Sequence, residues 1–413
     1  MRNEARPVTA CRSCKGSIGT TFCDLGRMPL ANSYLPPGAD LEAEPSFPLR
    51  AVVCAECRMV QLDTVVDAEG IFSDYAYFSS TSESWLEHAR RYSEAMIRRL
   101  GLNGGSLVIE AASNDGYLLR NFVAAGVPCL GVEPAANIAR AARESGVPTE
   151  VAFLGVDSAE VLLARLGRHA DLVIANNVLA HVPDVNDFVA GLARLAGPQG
   201  MVSIEAPHLL RMVEGVQFDT MYHEHYAYWS FLAMERLLTR HGLHVAHVEE
   251  LPTHGGSLRV LARARVAAFA SESVRALRDL ELRRGLGGDA FYKGFDERVR
   301  HVLDDFRNWM AESREQGRRV GAYGAAAKGN TFLNAAGVKA DGILAVADRN
   351  PVKQGRLLPG SHIPVVSPEE LLALAPDDIL ILPWNIAHEI VESLRGAGFR
   401  GRLLTAVPRM EVL

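Results

Sequence analysis

Residues 107–119 read LVIEAASNDGYLL, and this stretch decides the fold of the central part of the chain. A short apolar run leads into a turn of small residues, and the turn leads into a helical pattern. Such a strand, turn and helix N-terminus let backbone N–H groups approach an anionic cofactor group closely. The stretch therefore predicts the first βα unit of a nucleotide-binding domain.

The sequence on either side of this turn continues the same rhythm. From residue 107 to about residue 207, apolar runs alternate with helical patterns, which predicts βαβ units and a parallel sheet covered on both faces. The rhythm restarts near residue 318, with strand-like runs in RRVGAYG, GILAVADRN, DDILILPWN and RGRLLTAVP. The predicted fold class is α/β, with a central Rossmann-like domain and a second one at the C-terminus.

The remaining parts of the 413-residue chain have different patterns. Residues 1–72 are rich in Cys, Pro and Gly and contain the short β-like runs FPLRAVVC and MVQLDTVV, so we expect a small β-rich module. A helix is predicted from Ser82 to just before Gly101. The predicted domains are thus this module, a cofactor domain over 73–265, a helical bridge over 266–317 and a C-terminal domain over 318–413.

Overall composition narrows the classes of function. The net charge of -6 gives no general attraction for nucleic acid or an anionic membrane surface. The sequence contains neither a signal-peptide pattern nor an apolar run long enough for a membrane span, so a cytoplasmic location is the expectation.

Two CxxC pairs predict a metal site in the first module. CRSC and CAEC are about forty residues apart and together supply four thiolates, the ligand set that tetrahedral zinc prefers. A closed set of four protein ligands leaves no position for water, which favours a structural over a catalytic role. Cys23 and Cys129 have no CxxC partner. The predicted zinc ligands are Cys11, Cys14, Cys54 and Cys57.

The turn after residue 110 also bears on the cofactor. Glu133 ends the next strand, 23 residues after Glu110, where a carboxylate can accept both hydroxyls of an adenosine ribose. A dinucleotide site would use GxGxxG, but of its glycines only Gly116 is present, which favours S-adenosylmethionine over NAD. The predicted cofactor-binding residues are Glu110, Ala112, Ser113, Asn114, Gly116, Tyr117, Leu118, Glu133, Pro134, Asn176 and Asn177.

A dense group of ionisable and aromatic residues occurs in FDTMYHEHYAYWS, residues 218–230. Imidazole, phenol and carboxylate groups at such density are typical of a catalytic segment, because methylation of carbon first requires a base that makes a carbanion or enolate. A metal site at His223 and His225 is the alternative, although no HExxH pattern follows. His181, in NNVLAHVPDV, lies after another predicted buried strand.

Three further segments offer cations next to small residues. GAYGAAAKGNT carries Lys328 where a predicted strand leads into a helix, HGGSLR carries Arg259, and DRNPVKQG carries Lys353. Each alone is more often a turn than a site. Together they predict an anion pocket, such as one for a nucleotide diphosphate.

The order of these motifs resembles one protein family along essentially the whole chain. CRSC, CAEC, DYAYFSSTSESW, IEAASNDGYLL, NNVLAHVPDV, MYHEHYAYWS, HGGSLR and GAAAKGNT are similar to the S-adenosylmethionine-dependent sugar C-methyltransferases of antibiotic deoxysugar biosynthesis. The resemblance implies a dTDP-linked 4-keto-deoxysugar substrate, bound between domains and methylated at C3. Some relatives methylate C5 instead. A monomer is the working expectation.

The resemblance also implies roles for single residues. His225 resembles the base, Tyr222 the group that stabilises or relays to the enolate, Glu224 the residue that orients His225, and His181 a second imidazole of the pocket. Tyr77 or Tyr75 matches an aromatic that closes over the site, while Thr81 departs from a tyrosine expected in the family. The implied substrate-binding residues are Tyr75, Ser80, His254, Gly255, Arg259, Lys328, Asn330, Thr331 and Lys353.

Two rival functions belong to other classes. One is an NAD-dependent nucleotide-sugar oxidoreductase, which the missing GxGxxG disfavours. The other is a non-catalytic zinc-module scaffold, which the clustered Tyr222, Glu224 and His225 disfavour. In the methyltransferase hypothesis, zinc folds the first module and thereby holds the YAYFSS segment over the site.

Overall fold

A computed structural model describes residues 5–67, 79–264 and 271–413. The N-terminal part forms a small antiparallel β-module, and the β-like run FPLRAVVC is one of its strands from end to end. In the module's main sheet, the third of its strands pairs with the second and the fourth. The strands are β1 (Ala5–Pro7), β2 (Ile18–Met28), β3 (Phe47–Cys54), β4 (Val60–Leu62) and β5 (Thr64–Val66).

The helix after the module has the boundaries that the sequence predicts. α1 (Glu83–Leu100) begins after Ser82, whose hydroxyl accepts a hydrogen bond from the backbone N–H of Trp85. It ends at Gly101, which has a φ of 65°. A serine cap and a left-handed glycine satisfy backbone groups that a helix leaves unpaired at its ends, so both boundaries follow from local sequence.

The central domain is a doubly wound sheet with helices on its faces. Its helices are α2 (Leu119–Ala124), α3 (Ala136–Glu144), α4 (Val156–Leu166), α5 (Val185–Ala196), α6 (Leu209–Glu214) and α7 (Phe231–Arg240). The strands in this part of the chain are β6 (Val108–Ala111), β7 (Cys129–Val132), β8 (Thr149–Glu150), β9 (Leu172–Asn176), β10 (Met201–Pro207), β11 (Ala227–Tyr228), β12 (His244–Leu251) and β13 (Ser257–Arg263).

The strand order creates a crevice at one edge of this sheet. The order is β12-β13-β10-β9-β6-β7-β8, with β6 to β10 parallel and with β12 and β13 antiparallel to their neighbours. The direction of winding changes between β6 and β9, and open α/β sheets bind their ligands at such a point, beyond the carboxyl ends of the strands. The loops that follow residues 111 and 176 therefore meet at the crevice.

The bridge consists of two helices, α8 (Glu272–Arg283) and α9 (Phe295–Glu315). Val274 and Leu277 of α8 pack into the core of the central domain. Phe295 of α9 stacks on Phe22 of the module, with ring centroids 4.5 Å apart. The apolar faces of the bridge are thus divided between two different cores.

The C-terminal domain is a second, smaller Rossmann-like unit, as predicted. Its sheet has the order β16-β15-β14-β17-β18-β19, parallel except for the last strand. Its strands are β14 (Val320–Tyr323), β15 (Val346–Ala347), β16 (Val365–Val366), β17 (Asp378–Ile381), β18 (Arg402–Thr405) and β19 (Glu411–Val412). Its helices are α10 (Ala327–Ala336), α11 (Pro368–Ala373) and α12 (Ala387–Gly396).

One apolar core joins the three domains. Phe22 of the module, Phe218 of the central domain and Phe332 of the C-terminal domain belong to the same buried cluster. In addition, β11 adds to the module sheet by pairing with β4, so the segment rich in His and Tyr is built against the module. Within the residues described, no helix has both the length and the apolarity to cross a membrane.

Candidate active site

The two CxxC segments have the same backbone design. Each is followed by a non-glycine residue in the left-handed region, Lys15 with φ 65° and Arg58 with φ 63°. In each segment the N–H of that residue donates to the carbonyl of the first cysteine, at 2.9 Å to Cys11 and 3.2 Å to Cys54. Such matched turns bring two thiolates to one side of each loop.

The four sulfur atoms fit a tetrahedral zinc ion. They all lie within 4.8 Å of one another, and they form the only group of metal-ligating side chains found among the described residues. Sγ of Cys11 is 3.5 Å from Sγ of Cys57, and Sγ of Cys14 is 3.4 Å from Sγ of Cys54. Zn–S bonds of about 2.3 Å place sulfur atoms roughly 3.8 Å apart, close to these separations.

The turn after β6 has the conformation of a glycine-rich loop without its glycines. Ala112, Asn114 and Gly116 have φ values of 52°, 50° and 78°. Non-glycine residues rarely adopt positive φ, and those that do concentrate at ligand-binding turns. The chain therefore keeps the close backbone approach that a cofactor phosphate or carboxylate needs, although the sequence lacks the usual glycine pattern.

Two carboxylates mark the ends of β6 and β7. Glu110 is 1% exposed, and its Oε2 has no hydrogen-bond partner among the described residues. Burial, with Glu133 and Asp115 nearby, raises the pKa of Glu110 well above its usual value. Glu133 accepts the N–H groups of Asn114 at 3.0 Å and Ala135 at 2.9 Å. A cationic ligand with hydroxyls, such as S-adenosylmethionine, fits this acidic crevice.

The other predicted cofactor residues surround the same crevice. Oδ1 of Asn176, at the end of β9, is buried and has no partner among the described residues. Asn177 follows it with a φ of 54°, and its N–H donates to the carbonyl of Glu205 at 2.7 Å. The Tyr117 ring stacks near the Trp85 ring at 6.2 Å. Three further predicted cofactor residues, Ser113, Leu118 and Pro134, lie within or beside these turns.

The segment before α1 is attached to the cofactor turn. The N–H of Ser79 donates to Oδ1 of Asn114 at 2.9 Å, and that of Ser80 donates to Oδ2 of Asp115 at 3.1 Å. Ser80, predicted to contact substrate, thus lies at the cofactor loop. The predicted site residues Tyr75 and Tyr77 lie outside the described residues.

The His and Tyr residues of the predicted catalytic group do come together. The His225 ring is 3.9 Å from the Tyr222 ring and 4.6 Å from the His181 ring, measured between centroids. These residues belong to two separate loops, one after β9 and one before β11. Since Tyr226 N–H donates to the Ala180 carbonyl at 2.8 Å, the two loops are also joined directly through their backbones.

The hydrogen bond at Nδ1 sets the chemistry of His225. Nδ1 lies 2.7 Å from the carbonyl oxygen of Thr220, which can only accept, so Nδ1 carries the hydrogen and Nε2 the lone pair in the neutral ring. Burial, together with the nearby His181, lowers the pKa of His225 well below its usual value. Burial lowers the pKa of His181 to about 4. Both imidazoles are therefore neutral at pH 7, and His225 can accept a proton.

The role expected for Glu224 is wrong. Its carboxylate accepts two hydrogen bonds from Nδ2 of Asn32, at 2.7 and 2.9 Å, and Thr220 rather than Glu224 orients the His225 ring. Burial raises the pKa of Glu224 to about 7. His223 and Glu224 form a turn, closed by the hydrogen bond from the His225 N–H to the Tyr222 carbonyl at 2.8 Å, and from this turn Glu224 faces the module while His225 faces the site.

His223 likewise faces the module. Its Nε2 lies 3.3 Å from the carbonyl of Phe47 and 3.2 Å from that of Pro48, both in β3. The alternative of a metal at His223 and His225 is not supported, because the metal-ligating group found in the described residues consists of the four cysteines.

The third wall of the site is a strained turn held between two tryptophans. His254 has a φ of 55°, and its ring lies 5.1 Å from that of Trp85. A Cβ on Gly255 would lie 2.4 Å from Cη2 of Trp384, so only glycine fits this contact. Such strain persists where the surroundings over-determine it, commonly at ligand sites. The HGG turn thus joins the central and C-terminal domains.

Lys328 projects into the same region from the start of α10. Its Nζ donates to Oδ1 of Asn385 at 2.7 Å and lies 4.8 Å from the Trp384 ring centre. Nε1 of Trp384 in turn donates to Oδ2 of Asp219 at 2.7 Å. Burial lowers the pKa of Lys328, and the nearby Asp219 opposes that shift. A buried ammonium close to the histidines is a suitable partner for an anionic group of a ligand.

Four of the other predicted substrate residues have partners within the protein. Arg259 donates to Glu205 at 3.0 Å and to Glu249 at 3.1 Å. Lys353 donates to the carbonyl of Ala325 at 2.7 Å. Asn330 and Thr331 donate to the carbonyls of Ala31 and Met221 and so tie α10 to the other domains. These contacts favour structural roles, and we do not include the four in the proposed binding site.

Several residues at the site were missing from the sequence prediction. Asn32 comes from a segment with no recognisable motif, whereas Trp85 ends the quoted DYAYFSSTSESW segment and Asp219 lies within the quoted FDTMYHEHYAYWS segment. Trp384 and Asn385 follow a predicted strand directly, at the end where parallel sheets build their sites. That position was the one signal that could have identified these last two residues.

A doubly wound sheet with an acidic crevice, a four-cysteine module and paired imidazoles at the domain junction defines a cofactor-dependent group-transfer enzyme. Family models agree, matching residues 11–72 as "Putative zinc binding domain", 85–248 as "Methyltransferase domain" and 252–408 as "C-methyltransferase C-terminal domain". The chain is 34% identical over 418 residues to C-methyltransferase NovU of Streptomyces niveus, covering 100% of this chain and 99% of that protein.

The chain therefore belongs to the S-adenosylmethionine-dependent C-methyltransferase family, with a zinc-binding module at its N-terminus. Solved structures show more distant similarity. Magnesium protoporphyrin IX methyltransferase of Synechocystis PCC 6803 is 19% identical with a TM-score of 0.35, covering 43% of this chain and 82% of that chain. PH0226 protein of Pyrococcus horikoshii is 13% identical with a TM-score of 0.36, covering 46% and 95%.

Proposed function

We propose that this enzyme methylates the carbon next to the 4-keto group of a dTDP-linked deoxysugar, at C3, with His225 as the base. The observation that carries the proposal is the state of His225, a buried neutral imidazole with Nδ1 bonded to the Thr220 carbonyl and Nε2 left to accept a proton. A proton next to a ketone is acidic enough for such a base if the enolate oxygen is stabilised.

The roles of the neighbouring residues follow from their contacts. Nε2 of His225 takes the proton from the sugar carbon, and Tyr222 and His181, whose rings contact that of His225, stabilise the enolate oxygen. S-adenosylmethionine supplies the methyl group that the enolate carbon attacks, leaving S-adenosylhomocysteine. The loops after β6 and β9 hold the two reactants in line, which is the main source of rate in such a transfer.

Lys328 is proposed as a contact for the diphosphate of the nucleotide sugar. Its Nζ is buried at the domain junction beside Trp384 and Asn385, where an ammonium gains most from an anionic partner. His254 and Gly255 form the adjacent wall, so we assign them to sugar or nucleotide binding. This arrangement uses the C-terminal domain to bind the substrate and the central domain to bind the methyl donor.

The two rival functions do not fit the family assignment. An NAD-dependent oxidoreductase and a non-catalytic scaffold would each share the α/β fold, but the full-length relative is a C-methyltransferase. Neither rival explains why His225 is kept neutral beside a second imidazole.

The test is mass spectrometry of the purified protein with S-adenosylmethionine and a dTDP-4-keto-2,6-dideoxysugar in deuterated water. We expect gain of one methyl group, release of S-adenosylhomocysteine, and deuterium exchange at the carbon next to the ketone when the methyl donor is omitted. His225→Ala should abolish both exchange and transfer. His301→Ala, at an exposed position of α9, is the matched control and should retain both. Full exchange in His225→Ala would refute His225 as the base.

A further inference from the structure

Arg12 connects the zinc module to the loops that carry the candidate catalytic histidines. It lies between the zinc ligands Cys11 and Cys14, and its side chain leaves the module to enter the central domain. Nη1 donates to the carbonyls of Val182 at 3.1 Å and Pro183 at 3.0 Å, and Nη2 donates to the carbonyl of Tyr226. One guanidinium therefore bonds to two loops that are over forty residues apart in sequence.

Two of the three accepting carbonyls belong to residues next to a histidine of the site. Val182 directly follows His181, and Tyr226 directly follows His225. A shift of either carbonyl would therefore move an imidazole whose ring centroid lies 4.6 Å from that of the other. Because Arg12 holds both carbonyls at once, it adds a second link to the Tyr226–Ala180 backbone bond and so helps to fix the distance between the two rings.

The backbone of Arg12 is itself immobilised. Its N–H donates to Oε1 of Gln61 at 2.9 Å, and its carbonyl accepts from Nδ2 of Asn186 at 2.7 Å. The zinc ligands on either side fix the loop further, since Cys11 and Cys14 belong to the four-sulfur group. A planar guanidinium on such a rigid base can satisfy three carbonyls in one geometry, whereas a lysine ammonium has no comparable fork.

We propose that Arg12 is a positioning residue that transmits the order of the zinc module to His181 and His225. This proposal rests on the proposed function. It also extends the role expected for zinc, because Arg12 gives the zinc-binding loop a direct contact to both histidine loops. Since a displacement of about 1 Å at reacting groups can cost about a hundredfold in rate, loss of Arg12 should lower turnover more than binding.

The experiment compares Arg12→Met and Arg12→Lys with wild type, and uses Arg50→Met as a matched control. Arg50 is on β3 of the same module, but its partner is the carboxylate of Asp63 rather than a site loop. The measurements are zinc content, S-adenosylmethionine affinity, kcat and KM for methyl transfer, and backbone hydrogen exchange of residues 178–183 and 222–228.

For Arg12→Met we expect one zinc per chain, cofactor affinity within about twofold of wild type, and a kcat lowered by about tenfold to a hundredfold with little change in KM. Arg12→Lys should recover part of the kcat, and Arg50→Met should equal wild type. Both histidine loops should exchange faster in Arg12→Met, while the β6 turn at residues 110–116 is unchanged.

Wild-type kcat in zinc-loaded Arg12→Met would overturn the proposal. If Arg12→Met loses its zinc, Arg12→Lys becomes the deciding variant. A wild-type kcat per zinc-loaded chain of Arg12→Lys would then also overturn the proposal. If wild-type protein methylates no ketosugar, the proposed function fails on its own. The exchange rates of the two loops then still test Arg12, and unchanged rates in Arg12→Met would refute its positioning role.

Discussion

Replacement of Glu281 by alanine should loosen the central domain at the start of α7. The Glu281 side chain, on α8, is fully buried and accepts three hydrogen bonds. Its Oε1 accepts from Nε2 of His208 at 2.7 Å and from the N–H of Phe231 at 2.6 Å, and its Oε2 accepts from the N–H of Leu232 at 2.9 Å. One carboxylate thus fastens the bridge to the first turn of α7 and to the end of β10.

The size of the effect follows from the number of donors left without a partner. An unsatisfied buried donor costs about 1–3 kcal/mol, and breaking a buried ionisable pair typically costs about 3–5 kcal/mol. Water entering the space left by the side chain would satisfy some of the three donors, so we expect about 3–5 kcal/mol for Glu281→Ala. Glu281→Gln keeps one carbonyl oxygen but turns an NH₂ group toward an N–H donor, and about 1–3 kcal/mol is expected.

Hydrogen exchange of residues 229–240 is the appropriate assay, because a chain of several domains need not unfold in a single step. In Glu281→Ala, the protection of these amides should fall by about a hundredfold to four-thousandfold, since 1.4 kcal/mol corresponds to tenfold. Glu272→Ala, at an exposed position of the same helix, is the control and should have little effect. A change of less than about 1 kcal/mol in Glu281→Ala would refute the reasoning.

Three further predictions concern the metal, the base and the substrate. Cys54→Ser should lose zinc and solubility together, as measured by metal analysis and sedimentation, whereas the control Cys129→Ala should keep its zinc. A soluble, zinc-free and fully active Cys54→Ser would contradict this prediction. The rate of deuterium exchange should decline only below pH 6.5, because burial lowers the pKa of His225 and neutral imidazole is the active form. A pH–rate profile with its midpoint at or above pH 6.5 would contradict this prediction. Lys328→Met should raise the KM for the nucleotide sugar about tenfold or more without changing cofactor affinity, whereas Lys293→Met, at an exposed position, should not.

The elements that sequence could predict are those whose cause is local. α1 was predictable because Ser82 and Gly101 cap its two ends, and β3 because FPLRAVVC is a mostly apolar, β-like run with a single charged residue, Arg50. The turn after β6 was harder, since its positive φ angles are carried partly by Ala112 and Asn114 rather than by glycines. A pattern based on glycine spacing therefore misses a loop whose backbone nevertheless has the required conformation.

The parts of the site that sequence could not give depend on contacts between distant segments. The bond between Asn32 and Glu224 joins residues 192 apart, and the bond between Trp384 and Asp219 joins residues 165 apart. The two partners of each bond are too far apart in sequence to belong to one local motif. For the same reason, the motif MYHEHYAYWS named the correct segment but gave the wrong partner for His225.

The choice of that partner has a consequence for catalysis. A carboxylate at Nδ1 would stabilise the imidazolium strongly and raise the pKa of His225, whereas the uncharged Thr220 carbonyl opposes the effect of burial only in part and fixes the tautomer of the neutral ring. A base with a low pKa is fully available at neutral pH but provides less driving force for removal of a carbon-bound proton. In the proposed reaction, groups around the enolate oxygen must therefore compensate for the weak base. They do so by stabilising the enolate, which lowers the pKa of the carbon-bound proton of the substrate. We therefore expect loss of the Tyr222 hydroxyl in Tyr222→Phe to slow exchange as well as methyl transfer, because both require the same enolate.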